Sequence, residues 1–292
     1  MRFVGMLSVL MSLVLGVASV AAQSPATTPE PSADDPNFLS LVILRSGVPF
    51  EGTLAGTDGG LLMVFNATEG DVVTLSAIQT EESDLDPVLV VMDRFGAVLA
   101  YNDDDFALDT PLASRIQGLT IPFTDTYFVL LSSFFNLRSS DEEALTAEPE
   151  TLAFTALLEG NIQPTELAED EFFYTTAVLT QGEPFAFEIN EEREVGFLEY
   201  VGTAGERVTI DLVSPEDFLD TVLMVFDRNG TRLAADDDGG DERLAARVTD
   251  LELPADGTYL IFSTLYDFPN LPELAAEEQP TRQLEVVVNA AK

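Results

Sequence analysis

The sequence predicts an all-β chain: two tandem antiparallel β-sandwich domains of jelly-roll-like type after a signal peptide. The first observation behind this is a duplication. Residues 85–104 read LDPVLVVMDRFGAVLAYNDD, and residues 219–238 read LDTVLMVFDRNGTRLAADDD. Asp86 and Asp220, Asp93 and Asp227, Gly96 and Gly230, and Asp104 and Asp238 are each 134 positions apart. A second block, LTIPFTDTYFVLLSSF at 119–134, matches LELPADGTYLIFSTLY at 251–266. So long a period means two copies of a domain, not a short-repeat solenoid. The second observation is the texture of the chain: short β-branched and aromatic runs broken by Gly, Asp and Pro, with little helical period. Eight or nine such runs in each copy fit an antiparallel sandwich.

The chain opens with Arg2 and the apolar run FVGMLSVLMSLVLGVASV, followed by Val20-Ala21-Ala22. A basic start, an apolar core and a small-residue site read as an export signal over residues 1–22, with the mature chain starting at Gln23. The run is at the short end for a span and no stop-transfer charges follow it, so no membrane span is expected after cleavage. Residues 23–37 are a Pro/Ser/Thr-rich linker without apolar periodicity. The first sandwich is assigned to 38–162 and the second to 163–292.

In the first copy, strands are expected near 39–45, 49–54, 61–67, 71–78, 87–93, 97–101, 115–121, 126–134 and 151–159. In the second they are expected near 173–180, 184–189, 195–201, 206–213, 221–227, 231–235, 247–253, 258–265 and 283–289. Val73, Leu75 and Ala77 alternate with Val72, Thr74 and Ser76, as Val208, Ile210 and Leu212 do with Thr209, Asp211 and Val213. Period two marks one dry and one wet face. Val88-Leu89-Val90-Val91-Met92 and Val222-Leu223-Met224-Val225-Phe226 are apolar throughout, which predicts strands covered on both faces. The acidic stretches 138–150 and 269–282 read as long exposed loops, the second with a helical turn at 271–278.

Composition narrows function. With 52 acidic against 13 basic residues, the net charge is −39. Such a chain repels nucleic acid and anionic membrane surfaces and favours cations. It is not a disordered polyelectrolyte, because 46% of its residues are hydrophobic and fall in strand-like runs. There is no His, Cys or Trp. That removes Ser-His-Asp and Cys-His catalysis, imidazole or thiolate zinc sites, disulfides, and haem ligation by His or Cys. Gly-rich phosphate loops of Walker or Rossmann type are missing too.

The repeated acids are the candidate site. Asp93-Arg94-Phe95-Gly96 and Asp227-Arg228-Asn229-Gly230 read as hairpin turns. If Asp93 pairs with Ala97 and Asp227 with Thr231, Asp86 faces Asp104 and Asp220 faces Asp238. A slip of one residue brings in Asp105 or Asp237. Like charges opposite each other destabilise a sheet. A hard cation such as Ca2+, which takes several oxygen ligands from Asp, Asn and carbonyls, would offset that repulsion. The candidate ligands are Asp220, Asp236, Asp237 and Asp238 in the second copy, and Asp86, Asn102, Asp103 and Asp104 in the first. The spacing is not that of an EF-hand. The competing reading is ordinary turn chemistry, with Arg115 and Arg247 neutralising the acids. Tyr127 and Tyr259 read as core or corner residues. Phe134, Phe135, Tyr266 and Phe268 read as packed under the long loops rather than as an exposed aromatic strip.

Together, LDPVLVVMDRFGAVLAYNDDD with SRIQGLTIP and TYFVLLSSF, and LDTVLMVFDRNGTRLAADDD with ARVTDLELPADGTYLIFST, resemble the bacterial pre-peptidase C-terminal domain. The resemblance covers about 40–160 and 172–290, and the first copy departs from it by lacking the Gly of Gly257-Thr258-Tyr259. It implies a β-sandwich of secreted bacterial proteins, an extracytoplasmic accessory or binding role, and, in some members, calcium.

The expected function is therefore a secreted, non-catalytic module of the cell envelope, periplasm or medium that binds an extracellular polymer, surface or protein partner. Two alternatives stand beside it. One is a purely structural acidic envelope component. The other is a carboxylate hydrolase such as a glycosidase, which would need two carboxylates across an open cleft, one of them in an apolar pocket.

Overall fold

The computed structural model describes residues 39–55, 59–80, 83, 85–107, 110, 112–134, 151–162, 176–190, 192–215, 219–241, 244–269 and 282–291. The segments expected from the sequence as an export signal (1–22), a linker (23–37), a loop at 138–150 and, but for its two end residues, a loop at 269–282 with a helical turn lie outside them, as does Phe135. So does the point where the two copies were divided. Among the described residues no helix is long and apolar enough to cross a membrane.

The first half runs β1 (Val42–Ile43), β2 (Phe50–Ala55), β3 (Gly60–Ala67), β4 (Val72–Gln79), β5 (Pro87–Met92), β6 (Val98–Asn102), β7 (Ser114–Thr120), β8 (Asp125–Ser133) and β9 (Thr151–Gly160). The second runs β10 (Ala177–Val178), β11 (Phe185–Glu188), β12 (Gly196–Gly202), β13 (Arg207–Val213), β14 (Thr221–Phe226), β15 (Arg232–Asp236), β16 (Ala246–Glu252), β17 (Gly257–Leu265) and β18 (Gln283–Ala290). These follow the periodicity of the sequence within a few residues. Only the first strand of each half is much shorter than expected.

Each half is a pair of sheets. The first has a five-stranded sheet, β1-β3-β8-β5-β6, and a four-stranded sheet, β2-β9-β4-β7. The second repeats the order as β10-β12-β17-β14-β15 and β11-β18-β13-β16. The ladders are antiparallel except at one edge of each half, where β1 lies parallel to β3 and β10 parallel to β12. An antiparallel sandwich with one short parallel edge strand per half is thus the all-β fold observed.

The wholly apolar strands reveal what covers their second face. In β5, Leu89 and Val91 point into the core of the first sandwich with Met63, Leu75 and Tyr127. Val88, Val90 and Met92 point the other way, into an apolar cluster with Val222, Met224, Phe226, Phe197 and Phe262. In β14, Leu223 and Val225 face the core of the second sandwich. The two five-stranded sheets therefore pack against each other, and the four-stranded sheets form the outer layers. Phe128 and Phe197 meet across this seam with ring centroids 4.5 Å apart.

Backbone bonds reinforce the seam. The Leu62 amide donates to the Gly230 carbonyl at 2.7 Å, and the Glu194 and Val195 amides donate to the Gly96 carbonyl at 2.9 and 3.1 Å. The Ser40 amide donates to the Arg228 carbonyl at 2.7 Å. Both hairpin turns thus lodge against the opposite half, and Leu61 and Thr231 form an isolated bridge.

The alternating strands follow their pattern except at Ser76, expected on the wet face but buried. Val73, Leu75, Ala77, Val208, Ile210 and Leu212 are buried, whereas Thr74, Thr209 and Asp211 are half-buried on the outer faces. Tyr127 and Tyr259 are buried corner residues. Their hydroxyls donate to the backbone carbonyls of Phe123 and Ala255, four residues upstream. Burial pushes the Tyr127 phenol up to about 12. The aromatic strip departs from expectation in part. Phe268 is buried in the seam, but Phe134 and Tyr266 are exposed at 52% and 40%.

Candidate functional site: the acidic ends of the hairpins

The hairpin turns form as predicted. The Asp93 amide donates to the Ala97 carbonyl at 3.0 Å and the Asp227 amide to the Thr231 carbonyl at 2.9 Å. Asp93 Oδ1 accepts from the Phe95 and Ala97 amides, and Asp227 Oδ1 from those of Asn229 and Thr231. These two aspartates hold their own turns, which is why the motif needs Asp there.

The register beyond the turn differs from the simple count. A bulge lies between the Met92–Val98 and Val91–Ala100 pairs, and another between the Phe226–Arg232 and Val225–Ala234 pairs. One extra residue enters β6 and β15, so the pairing shifts by one. The ladders then end with Leu89 opposite Asn102 and Leu223 opposite Asp236. Asp86 and Asp220 lie just before β5 and β14, and no ladder pair sets them against Asp104 or Asp238. In the second half the slip runs toward Gly239, away from Asp237.

The acids still gather at one end of each hairpin, through the loops. Burial raises the Asp86 carboxyl, helped by the charges of Asp104 and Asp103. Burial likewise raises Asp220, helped by Asp238 and Asp267. Asp237 is pushed up to about 6 by burial and then by Asp238, Asp236 and Asp220. Asp267 was not foreseen. It follows β17, whose partner β14 starts one residue after Asp220, and only the strand pairing brings the two together.

Asn102 and Asp236 have a different task. Asn102 Oδ1 accepts from the Arg115 amide at 2.9 Å. Asp236 Oδ1 accepts from the Arg247 and Gly239 amides, both at 2.7 Å. Each residue clips its loop to the start of the next strand. The arginines pair outside the cluster around Asp86 or Asp220. Arg115 Nε meets Asp105 Oδ2 at 2.5 Å. Arg247 reaches Asp211 through Nε and Asp241 through Nη1, the latter at 2.8 Å.

Fit to a cation follows from these contacts. Asp104 and Asp220 each carry a buried Oδ1 without a hydrogen-bond partner, which a cation would satisfy. Yet among the described residues no three carboxylates come together in a group able to hold a metal ion. Asn102 and Asp236 direct an oxygen to backbone amides instead. The eight candidates thus divide into two loop clips and six clustered acids, and the arrangement falls short of a coordination shell.

No protein-family model and no curated protein matches the chain. Among solved structures it is similar to the pre-peptidase C-terminal domain of collagenase from Bacillus anthracis, with 13% identity and a TM-score of 0.29 over 42% of this chain and 97% of that one. It is also similar to the CUB1-EGF-CUB2 domain of human MASP-1/3, with 10% identity and a TM-score of 0.22 over 82% of this chain and 99% of that one. Likenesses this distant assign no function. The chain is defined by its own architecture: two topologically identical β-sandwiches joined through their five-stranded sheets.

Proposed function

We propose that the chain is a secreted, non-catalytic binding module for an extracellular polymer, surface or protein partner, built as one rigid body from two fused sandwiches. The observation that carries this reading is the seam. One apolar cluster unites Val88, Val90 and Met92 with Val222, Met224 and Phe226. The inner sheets are consumed in joining the halves, so contact with the surroundings falls to the outer four-stranded sheets and the loops. These are polar and acidic, which suits a recognition surface. Secretion is supported by the export signal read in residues 1–22.

The acidic hairpin ends belong to this reading as structural elements. Burial and neighbouring acidic charge raise the carboxyls of Asp86, Asp220 and Asp237.

The experiment is a paired assay of the mature chain. Binding is measured by co-sedimentation with insoluble polysaccharides and peptidoglycan, and turnover is screened on glycoside and peptide substrates. Saturable binding without turnover is expected. Turnover abolished by Asp237→Asn or Asp220→Asn would overturn the proposal in favour of a carboxylate hydrolase. Neither binding nor turnover would leave the purely structural reading.

A further inference from the structure

The outer face of the second half carries a cavity of about 690 Å3 among β13, β16 and β18, within the range of small-ligand sites. None of the clustered acids Asp220, Asp237 or Asp238 lines it. Its walls are Thr209, Asp211, Asp241, Arg247, Thr249 and Asn289, with Ala290 and Ala291 supplying the apolar contribution. At one end Asp250 adopts a left-handed backbone, φ 55°, and is held by Arg207.

The polar groups are oriented by one another. Arg247 is anchored through Nε to Asp211 and through Nη1 to Asp241, and Asn289 Nδ2 donates to Asp211 Oδ2 at 3.5 Å. Arg247 and Asp211 side chains are only 25% and 15% exposed, so the fork is fixed before any ligand arrives. Asn289, Thr249 and Arg247 thus line the cavity with an amide, a hydroxyl and a guanidinium, a mixed set of acceptors and donors.

We propose that this cavity binds a neutral polyhydroxylated ligand, a sugar residue of an extracellular polysaccharide. Sugar hydroxyls both donate and accept, which matches a mixed array. Anions are disfavoured by Asp211, Asp241 and Asp250. Cations gain little, because those carboxylates already hold Arg247 and Arg207. Flat aromatic ligands find no stacking surface. The first half lacks the arrangement: Ser76, not Asp211's counterpart in charge, faces Arg115 there. The inference rests on the binding-module reading and names its ligand class.

Affinity electrophoresis of the full mature chain tests it, in gels containing soluble starch, hydroxyethylcellulose, xylan, mannan or laminarin, with poly-lysine as the cationic control. Retardation in at least one neutral polysaccharide is expected. Asn289→Ala and Thr249→Ala should each weaken it by roughly tenfold, while Gln117→Ala, on the outer face of the first half, should leave it unchanged. Thr249 is exposed on its strand, so its variant retains the fold. Retardation untouched by Asn289→Ala and Thr249→Ala would overturn the site and leave the binding-module reading intact. No retardation in any neutral gel would overturn the sugar assignment. Poly-lysine binding lost in Asp241→Asn would replace it with a cationic ligand.

Discussion

Gly230 lies so close to Leu62 that a Cβ added to it would fall 2.1 Å from the Leu62 carbonyl oxygen. Gly96 meets Val195 in the same manner, at 2.2 Å, so each hairpin turn is inserted into the opposite half. Both glycines have positive φ, 84° and 90°. Gly96→Ala and Gly230→Ala should each cost about 2 kcal/mol or more, from backbone strain plus overpacking at the seam. Gly47 has φ 74° with nothing within 4 Å of an added Cβ, so Gly47→Ala should cost only about 1 kcal/mol. Urea denaturation of the three variants measures the difference. Equal costs would mean that the turns do not bear on the seam.

The seam also predicts how the chain unfolds. Separating the halves would expose Phe128, Phe197, Phe226 and Phe262, all at most 2% exposed. Neither sandwich should outlive the other, so calorimetry should show one transition with equal calorimetric and van't Hoff enthalpies. Phe197→Ala should cost about 3–5 kcal/mol and lower that single transition. Two resolved transitions, with only the later half responding to Phe197→Ala, would contradict a fused body.

Much of this fold was legible in the sequence, and the illegible part has a definite physical cause. Alternation at Val73, Leu75 and Ala77 identifies a face, because side chains on a strand point to opposite sides by turns. The unbroken run from Val88 to Met92 announces two buried faces. It carries no information on whether the second cover is a loop, a helix or another domain. The bulges that shift the hairpin register are equally silent. Leu99 and Leu233 look like ordinary strand residues, yet the one-residue slip there removes the register that would set Asp86 against Asp104 and Asp220 against Asp238. The cavity residues Thr209, Arg247 and Asn289 sit on three strands far apart in sequence, so no local spacing marks them.

Glu199 shows where the two halves are not equivalent. It pairs with Val178 on the parallel edge, as Val64 pairs with Ile43. Val64 is buried in the seam, whereas the half-buried Glu199 shares the face of Phe197. Burial alone raises its carboxyl above the ordinary glutamate value. A carboxylate held there opposes folding at neutral pH, so Glu199→Val should stabilise the protein by about 1 kcal/mol. Thermal melts at neutral pH check this. A lower melting temperature in Glu199→Val would mean that the carboxylate has a partner that offsets its burial.

Asp237 sets the sign of the pH dependence. Its carboxyl is pushed up to about 6, first by burial and then by Asp238, Asp236 and Asp220. The folded chain therefore holds this proton more tightly than the unfolded chain. Stability is greatest below the unfolded value and is lost as pH rises from about 4 through about 6. Asp86 and Asp220 are raised too and act in the same direction. The melting temperature should thus be higher near pH 5 than at about pH 7.5. Asp237→Asn should raise the melt at the higher pH and shrink the gap between the two. An unchanged gap in that variant would remove Asp237 from the account. Because the clustered acids fall short of a coordination shell, millimolar calcium should shift the melt no more than magnesium at equal ionic strength. A calcium-specific rise that Asp220→Ala abolishes would instead place a cation among these acids, binding the native state and stabilising it by mass action.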